Sequence, residues 1–371
     1  MTTLFFYGTL CHAPLLDVVL GRPTQPQPAR LPHHVVLWAE GGAFPLILPR
    51  AGDSAQGLLL EDLTGEDLAR LDFYEGGFDY ETREVTVQSG SRHVPARAYF
   101  PRPGRWQGAA PWSLADWADR YGPAAVATAV EFMGLMGQIP ARQIAARYAS
   151  MLTRGAAHIR AQQPQPTTLR RAAAPGDVQV AARRHPYGKF FAVEEWDVAW
   201  RQFDGGMGHP AERAVFIMAD AVTVLPYDPV RDRVLLVEQF RVGPVARGDA
   251  AAWQIEAIAG RIDPGETPEE AARREAREEA GLTLDALIPV AQYYPSPGAL
   301  TEYLYSFIAL TDLPDGSAGT FGLAEEAEDI RGHLIPFDRL MDLVATGEIA
   351  NAPLMLTALW LHRERPRLRR S

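Results

Sequence analysis

Residues 260–282, GRIDPGETPEEAARREAREEAGL, carry a helix start, a helix stop and a knot of carboxylates at fixed spacing between them. Thr267 is placed as an N-cap, Pro268 as the first helical residue, and Glu270 completes a capping box. Gly281 supplies the C-terminal stop. At about 100° per residue, Glu275, Glu278 and Glu279 fall within roughly a third of the helix circumference. Ala272, Ala276 and Ala280 form the adjoining small apolar stripe, suited to pressing on a sheet, and Arg273 and Arg277 lie on the far side. Carboxylates at this spacing repel, at a few tenths of a kcal/mol per pair, so a bare helix is weakened by them. Hard divalent cations with oxygen ligands reverse that sign.

The wider spacing is Gly260, five residues, Glu266, seven residues, then Arg274-Glu275-Ala276-x-Glu278-Glu279-x-Gly281-Leu282. It resembles the Nudix box at each defined position. The resemblance implies an α/β/α sandwich that hydrolyses a nucleoside diphosphate derivative with Mg²⁺, or Mn²⁺ in its place. A diphosphate is a poor electrophile until its charge is neutralised, which metal ions do while also activating water. By the same resemblance Glu275 and Glu279 are the main metal ligands, Glu278 supports catalysis, and the Ala259 carbonyl is a further ligand. Glu266 and Arg274 are expected to pair and hold the loop on the helix.

The 371 residues are enough for two domains, and 47% hydrophobic with 22% charged residues describes an ordinary globular chain. A net charge of −10 argues against a nucleic-acid partner. A lone cysteine, Cys11, excludes an internal disulfide framework and is expected to be a packing residue in a reducing compartment. No apolar run reaches about 18 residues and no basic-then-apolar leader opens the chain. A cytoplasmic protein without a membrane partner is expected.

The N-terminal stretch alternates short strand-like runs (residues 34–38, 44–48, 56–60, 83–87 and 94–100) with a helix capped by Thr64. Tyr7-Gly8-Thr9-Leu10, Pro45-Leu-Ile-Leu-Pro49, Gln56-Gly57-Leu-Leu-Leu and Leu71-Asp-Phe-Tyr74-Glu75-Gly76 occur in that order, followed by Phe78-x-Tyr80-x-x-Arg83. These resemble the γ-glutamylcyclotransferase-like family, which implies a mixed β-barrel with helices. In that family the opening loop binds the substrate carboxylate, here Tyr7, Gly8, Thr9 and Leu10, and a glutamate moves a proton, here Glu75. A buried carboxyl with a raised pKa suits that role. The domains expected are 1–110 cyclotransferase-like, 111–162 a helical extension with a Ser113 cap and a break at Pro140, 163–180 a proline-rich linker, and 181–371 Nudix. The fold class is α+β.

In the second domain, strands are expected over 214–225 and 234–239, with a closing helix from Phe337. Pro297 stands sixteen residues after Gly281, a spacing that resembles the ADP-ribose pyrophosphatase branch. Glu238-Gln239-Phe240-Arg241 and Trp253-x-x-Glu256-x-x-Ala259-Gly260 resemble that branch's diphosphate-binding and box-entry segments, and Gly322-Leu-Ala-Glu325-Glu326-Ala-Glu328 its acidic loop. The resemblance makes Glu326 the general base and Glu328 a metal ligand, and implies a homodimer through the Nudix domain. Arg241 and Arg213 are the candidate diphosphate cations, since guanidinium matches phosphate bidentately. Phe240, Tyr293 and Tyr294 are candidate walls for adenine. The fusion resembles tellurite-resistance-type Nudix proteins. ADP-ribose, cleaved to AMP and ribose 5-phosphate, is the expected substrate. The alternatives are another nucleoside diphosphate sugar such as GDP-mannose, a γ-glutamyl amine cyclotransferase with a regulatory Nudix part, or an N-terminal binding module without catalysis.

Overall fold

Two units share the chain, Met1–Pro166 and Thr167–Ser371. The computed structural model describes residues 2–323 and 327–369.

In the first unit the strands are β1 (Thr2–Phe6), β2 (Gln27–Ala39), β3 (Pro45–Leu63), β4 (Tyr80–Ser89), β5 (Arg92–Pro101) and β6 (Gly108–Pro111). The helices are α1 (Ala13–Leu20), α2 (Gly65–Gly76), α3 (Leu114–Arg120), α4 (Gly122–Gly134), α5 (Ala141–Ala145) and α6 (Tyr148–Arg160). The sheet runs β3-β1-β5-β4-β2-β6, and a further β2–β3 pairing closes five of these strands into a barrel. Strand alternation sets its two sides. Phe5 of β1 joins Leu31, Ile47, Leu59 and Val87 in the barrel interior, while Leu4 and Phe6 join the helices. Helices α1 to α6 share that outer core, with Phe132 of α4 fully buried between α2 and α6. Thr64 caps α2 in a reciprocal box with Asp67, and Ser113 caps α3 through the Asp116 amide. The segments expected as two strands on either side of Pro49 form one long β3, because β2 pairs with it from Trp38↔Pro45 to Gln27↔Leu59. Cys11 packs at the edge of the outer core, donating to the Phe6 carbonyl, and burial pushes its thiol up to about 12.

The second unit opens with a three-stranded sheet, β7 (Val178–Gly188), β8 (Ala192–Trp200) and β9 (Ala211–Ile217). Then follow β10 (Ala221–Asp228), β11 (Arg233–Phe240), α7 (Val242–Arg247), β12 (Trp253–Glu256), β13 (Ile258–Arg261) and α8 (Pro268–Ala280). The unit ends with β14 (Ala286–Tyr293), β15 (Leu304–Leu310), β16 (Thr320–Phe321), β17 (Ile330–Pro336), α9 (Phe337–Thr346) and α10 (Ala352–Leu368). The main sheet runs β14-β15-β10-β11-β17-β16, with β12 on β11 and β13 on β10. Alternation again sorts the faces. Val222, Val224, Leu235 and Val237 meet Ala271, Ala272, Ala276 and Ala280 of α8. Leu225, Tyr227, Val234 and Leu236 meet Phe337, Leu340, Leu354 and Leu361 of α9 and α10. This is the expected α/β/α sandwich. Among the described residues no helix is long and apolar enough to cross a membrane.

Two expectations are corrected. The strand over 214–225 is two strands in two sheets, because Thr301 Oγ1 takes the Met218 amide and donates to the Met218 carbonyl, ending β9 before β10 starts. The closing helix is likewise two: α9 stops at Gly347 with φ of 82°, and α10 restarts behind the Asn351 cap.

Candidate active site

Helix α8 is positioned by its ends and its small side chains. Thr267 Oγ1 accepts the Glu270 amide at 3.2 Å and Glu270 accepts the Thr267 amide at 2.9 Å. Gly281, with φ of 63°, lets Leu282 donate back to the Ala276 carbonyl at 2.9 Å. The alanine stripe brings α8 close enough to the sheet for two carboxylates to enter it. Glu279, only 2% exposed, accepts the Ala259 amide at 3.0 Å. Glu275 lies against Gly260 so closely that a Cβ there would stand 1.9 Å from its Oε1. That contact gives the box glycine its physical reason.

Arg274 organises the rest of the acidic face. It forks onto Glu266 with two contacts of 3.0 Å, and reaches Glu275 at 2.6 Å, Glu278 at 3.0 Å and the Arg261 carbonyl at 2.9 Å. The expected Glu266–Arg274 pair is there, and the same guanidinium also restrains Glu275 and Glu278.

The electrostatics bring further residues to the same place. Burial pushes Glu279 up to about 8; the Ala259 amide opposes this, while the charges of Glu275 and Glu328 add to it. Burial likewise lifts Glu275 to about 7 against the pull of Arg274, with Glu278 and Glu328 adding to the rise. Burial works against the charge of Arg241, but its fork onto Glu256, with a closest contact of 2.7 Å, and the nearby Glu279 and Glu328 carboxylates raise its pKa overall. Glu279 thus feels Glu275, Glu328 and Arg241, and Glu275 feels Glu328, which places these side chains in one neighbourhood. Glu328 follows Ala327, whose φ is 56°, and its carboxylate accepts the Leu323 amide at 3.3 Å.

Buried carboxylates such as Glu275 and Glu279, lifted by burial and by neighbouring negative charge, suit a divalent cation, which would remove the repulsion that opposes their charge. Among the described residues no three His, Cys, Asp or Glu side chains already stand as a metal cluster. Arg274 and the Ala259 amide engage Glu275, Glu278 and Glu279 instead. At Ala259 it is the amide, and not the carbonyl, that meets Glu279. Glu326 lies outside the described residues.

Pro297 sits in an exposed turn in which Ala299 and Leu300 donate to the Ser296 carbonyl. The turn is stitched to Phe216 of β9 at 2.8 and 3.0 Å. Arg213 is on the same strand, exposed, with its guanidinium over the Trp200 ring. Pro297 and Arg213 thus share a locality, while the described contacts do not tie Arg213 to the carboxylates. Phe240 alternates away from Val237 and meets Trp253 on the sheet face opposite α8, so it is not a wall beside Arg241. Tyr293 turns from the α8 face as well, accepting from Ser306, which is bonded to Thr223. Tyr294 remains, half-stacked edgewise on Tyr303 at 4.8 Å.

A second site lies in the first unit. The turn after Tyr7 is a short 3₁₀ segment, Thr9–Cys11, packed so tightly that a Cβ on Gly8 would meet Pro45 at 2.6 Å. Leu10 is buried in the outer core. Burial pushes Glu75 up to about 7. Its charge is felt by Tyr7, Tyr74, Tyr80, Tyr99 and Tyr148, which come from five different elements or turns. The structure so joins Glu75 to the Tyr7 loop. Tyr7 was expected at this site and Tyr74 and Tyr80 lay within the segment that carried Glu75, whereas Tyr99 and Tyr148 had no signal in the sequence.

An acidic helix buried against a sheet, with Arg241 beside its carboxylates, suits metal-assisted chemistry on a phosphate. The family profile described as "NUDIX domain" matches residues 218–357, and that described as "Gamma-glutamyl cyclotransferase, AIG2-like" matches residues 4–119. An ADP-ribose pyrophosphatase of Escherichia coli (strain K12) is 38% identical over 185 residues, 50% of this chain and 88% of that protein. A GDP-mannose pyrophosphatase of Salmonella arizonae is 34% identical over 151 residues, 41% of this chain and 78% of that protein. A solved structure titled "Crystal structure of ADP compounds hydrolase" is 21% identical with a TM-score of 0.40, covering 52% of this chain and 98% of that one. The chain belongs to the Nudix hydrolases, with a cyclotransferase-like domain ahead of the Nudix domain.

Glu75 yields a pH prediction. Its folded pKa, about 7, lies above the ordinary 4.5, so the folded chain holds this proton more tightly than the unfolded one. Stability then falls as pH rises between those values, by up to about 3 kcal/mol at 1.4 kcal/mol per unit. Glu75→Gln should therefore stabilise the first unit against urea at pH 8 and have little such effect near pH 4.5. An equal effect at both pH values would show that Glu75 carries no such shift.

Proposed function

We propose that the second unit hydrolyses ADP-ribose to AMP and ribose 5-phosphate with Mg²⁺, or Mn²⁺ in its place. The observation that carries this reading is the convergence of charge on the buried face of α8, where Glu275 and Glu328 act on Glu279, Glu328 acts on Glu275, and Glu279 and Glu328 act on Arg241. Support for the substrate comes from the higher identity and longer match to the ADP-ribose pyrophosphatase than to the GDP-mannose pyrophosphatase. Glu275, Glu279 and Glu328 would hold the metal, with Glu278 and the Ala259 carbonyl as further supports. Bound divalent ions supply charge neutralisation at the diphosphate and acidify the attacking water. Arg241, oriented by its fork onto Glu256, binds the diphosphate oxygens. Arg213 on β9, and the Pro297 turn hydrogen-bonded to that strand, serve the nucleotide-sugar end. Glu326 takes the proton of the attacking water as its oxygen bonds to phosphorus and the bridging oxygen leaves. The homodimer implied by the resemblance and the cytoplasmic location expected from the composition belong to the same proposal.

Turnover of ADP-ribose, GDP-mannose and NADH with Mg²⁺ tests the substrate: ADP-ribose should have the highest kcat/KM, and preference for either other compound would overturn the assignment. In the same assay Glu326→Gln should lower kcat at least about tenfold, equivalent to 1.4 kcal/mol of barrier, while Mg²⁺ dependence stays unchanged.

For the first unit we propose γ-glutamyl cyclotransfer, on the observation that Glu75 is held near pH 7 beside the Tyr7 loop. A carboxyl poised there can take and return a proton at working pH, and the loop backbone from Tyr7 through Gly8, Thr9 and Leu10 would hold the substrate carboxylate. Release of 5-oxoproline from a γ-glutamyl amine should vanish in Glu75→Gln and survive in Glu279→Gln. Its absence from the unsubstituted protein would leave the unit a binding module.

A further inference from the structure

The cyclotransferase-family match ends at residue 119, yet the segment that carries Glu75 is held by helices beyond it. Residues of α5 and α6 touch Tyr74 at the end of α2 and Gly77, Phe78 and Asp79 just after it. Gly77 abuts α5 so tightly that a Cβ there would stand 2.8 Å from the Ala145 Cβ and 2.9 Å from the Ala141 carbonyl oxygen. Arg142 of α5 pairs with Asp79 at 2.7 Å. Tyr148 of α6 sets its ring edgewise on Phe78 at 5.0 Å, and its hydroxyl stands 3.4 Å from that of Tyr74. Phe132 of α4 completes the packing, with Tyr74 at 5.3 Å and Phe78 at 5.9 Å.

We propose that α5 and α6 form a wall of the Glu75 site and that Tyr148 is a positioning residue for Glu75, keeping water from its carboxyl and holding the Tyr74–Tyr80 segment in place. The groups facing Glu75 fit that role. Tyr7 comes from the loop after β1, Tyr74 from α2 itself, Tyr80 from β4, Tyr99 from β5 with Asp72 bonded to its hydroxyl, and Tyr148 from α6. Burial alone raises the pKa of Glu75, with no opposing cation among its causes, so enclosure by these rings governs its proton. Tyr148 is the member of this ring that the matched family span does not supply. The proposal concerns how the site is built and stands whether or not the unit turns over a γ-glutamyl compound.

The test is a ¹³C-carboxyl NMR titration of the full chain labelled in glutamate, with Glu75 assigned by the resonance lost in Glu75→Gln. Tyr148→Ala should admit water and lower the Glu75 midpoint by about one pH unit or more. Tyr148→Phe, which keeps the ring, should leave it near that of the unsubstituted protein. Gly77→Ala, which removes no aromatic ring, should lower the midpoint by pushing α5 outward, and serves if Tyr148→Ala does not fold. A midpoint unchanged in Tyr148→Ala, or in Gly77→Ala where Tyr148→Ala fails to fold, would overturn the proposal. An equal fall in Tyr148→Phe would contradict the role of the ring.

Discussion

The second unit depends on how near α8 can come to the sheet. Four alanines let the helix approach, and Gly260 leaves room for the Glu275 carboxylate where any other side chain would collide. The Ala259 amide then meets Glu279 at 3.0 Å. Enclosing carboxylates this way is unfavourable unless they are hydrogen-bonded or paired. One guanidinium, Arg274, and one backbone amide offset part of that cost, and burial with neighbouring negative charge still lifts Glu275 and Glu279 well above the usual carboxylate range. The arrangement weakens the fold locally, as functional sites commonly do, and is the kind of place where a doubly charged ion would relieve the repulsion.

Both units rely on a carboxyl with a raised pKa, reached by different means. Glu75 is lifted by enclosure alone, among tyrosine rings that bring no opposing charge. Glu275 and Glu279 are lifted by enclosure and by neighbouring carboxylates, with arginines pulling the other way. The first environment suits a group that gives and takes a proton. The second suits groups that must become fully charged when a cation arrives. The two sites therefore ask different things of the same residue type.

What was legible in the sequence was what local chemistry controls. The caps of α8, its stop at Gly281 and the buried alanine stripe follow from spacing on one helix, and the Glu266–Arg274 pair from the resemblance of the box. The Thr64 and Ser113 caps are of the same kind. What was not legible depends on distant partners. The break between β9 and β10 is set by Thr301, 83 residues away, within a run whose own residues read as one strand. Helix α1 has no side-chain cap to announce it, as His12 makes none. Phe240 and Arg241 looked like neighbours in one site, but strand alternation sends Phe240 to the other face of the sheet. The tyrosines around Glu75 come from elements up to α6, and only folding brings them together. The break after α9 had its signals in Gly347 and the Asn351 cap, and a closer reading of those residues would have found it.

The claim on which the rest turns is that the buried face of α8 is a cation site built on Glu279. Binding of Mn²⁺ to the full chain, followed by electron paramagnetic resonance of the free ion, measures this without any substrate. Affinity should fall at least about tenfold in Glu279→Gln, or 1.4 kcal/mol of binding free energy. Equal affinity and equal numbers of bound ions in the two proteins would contradict the account.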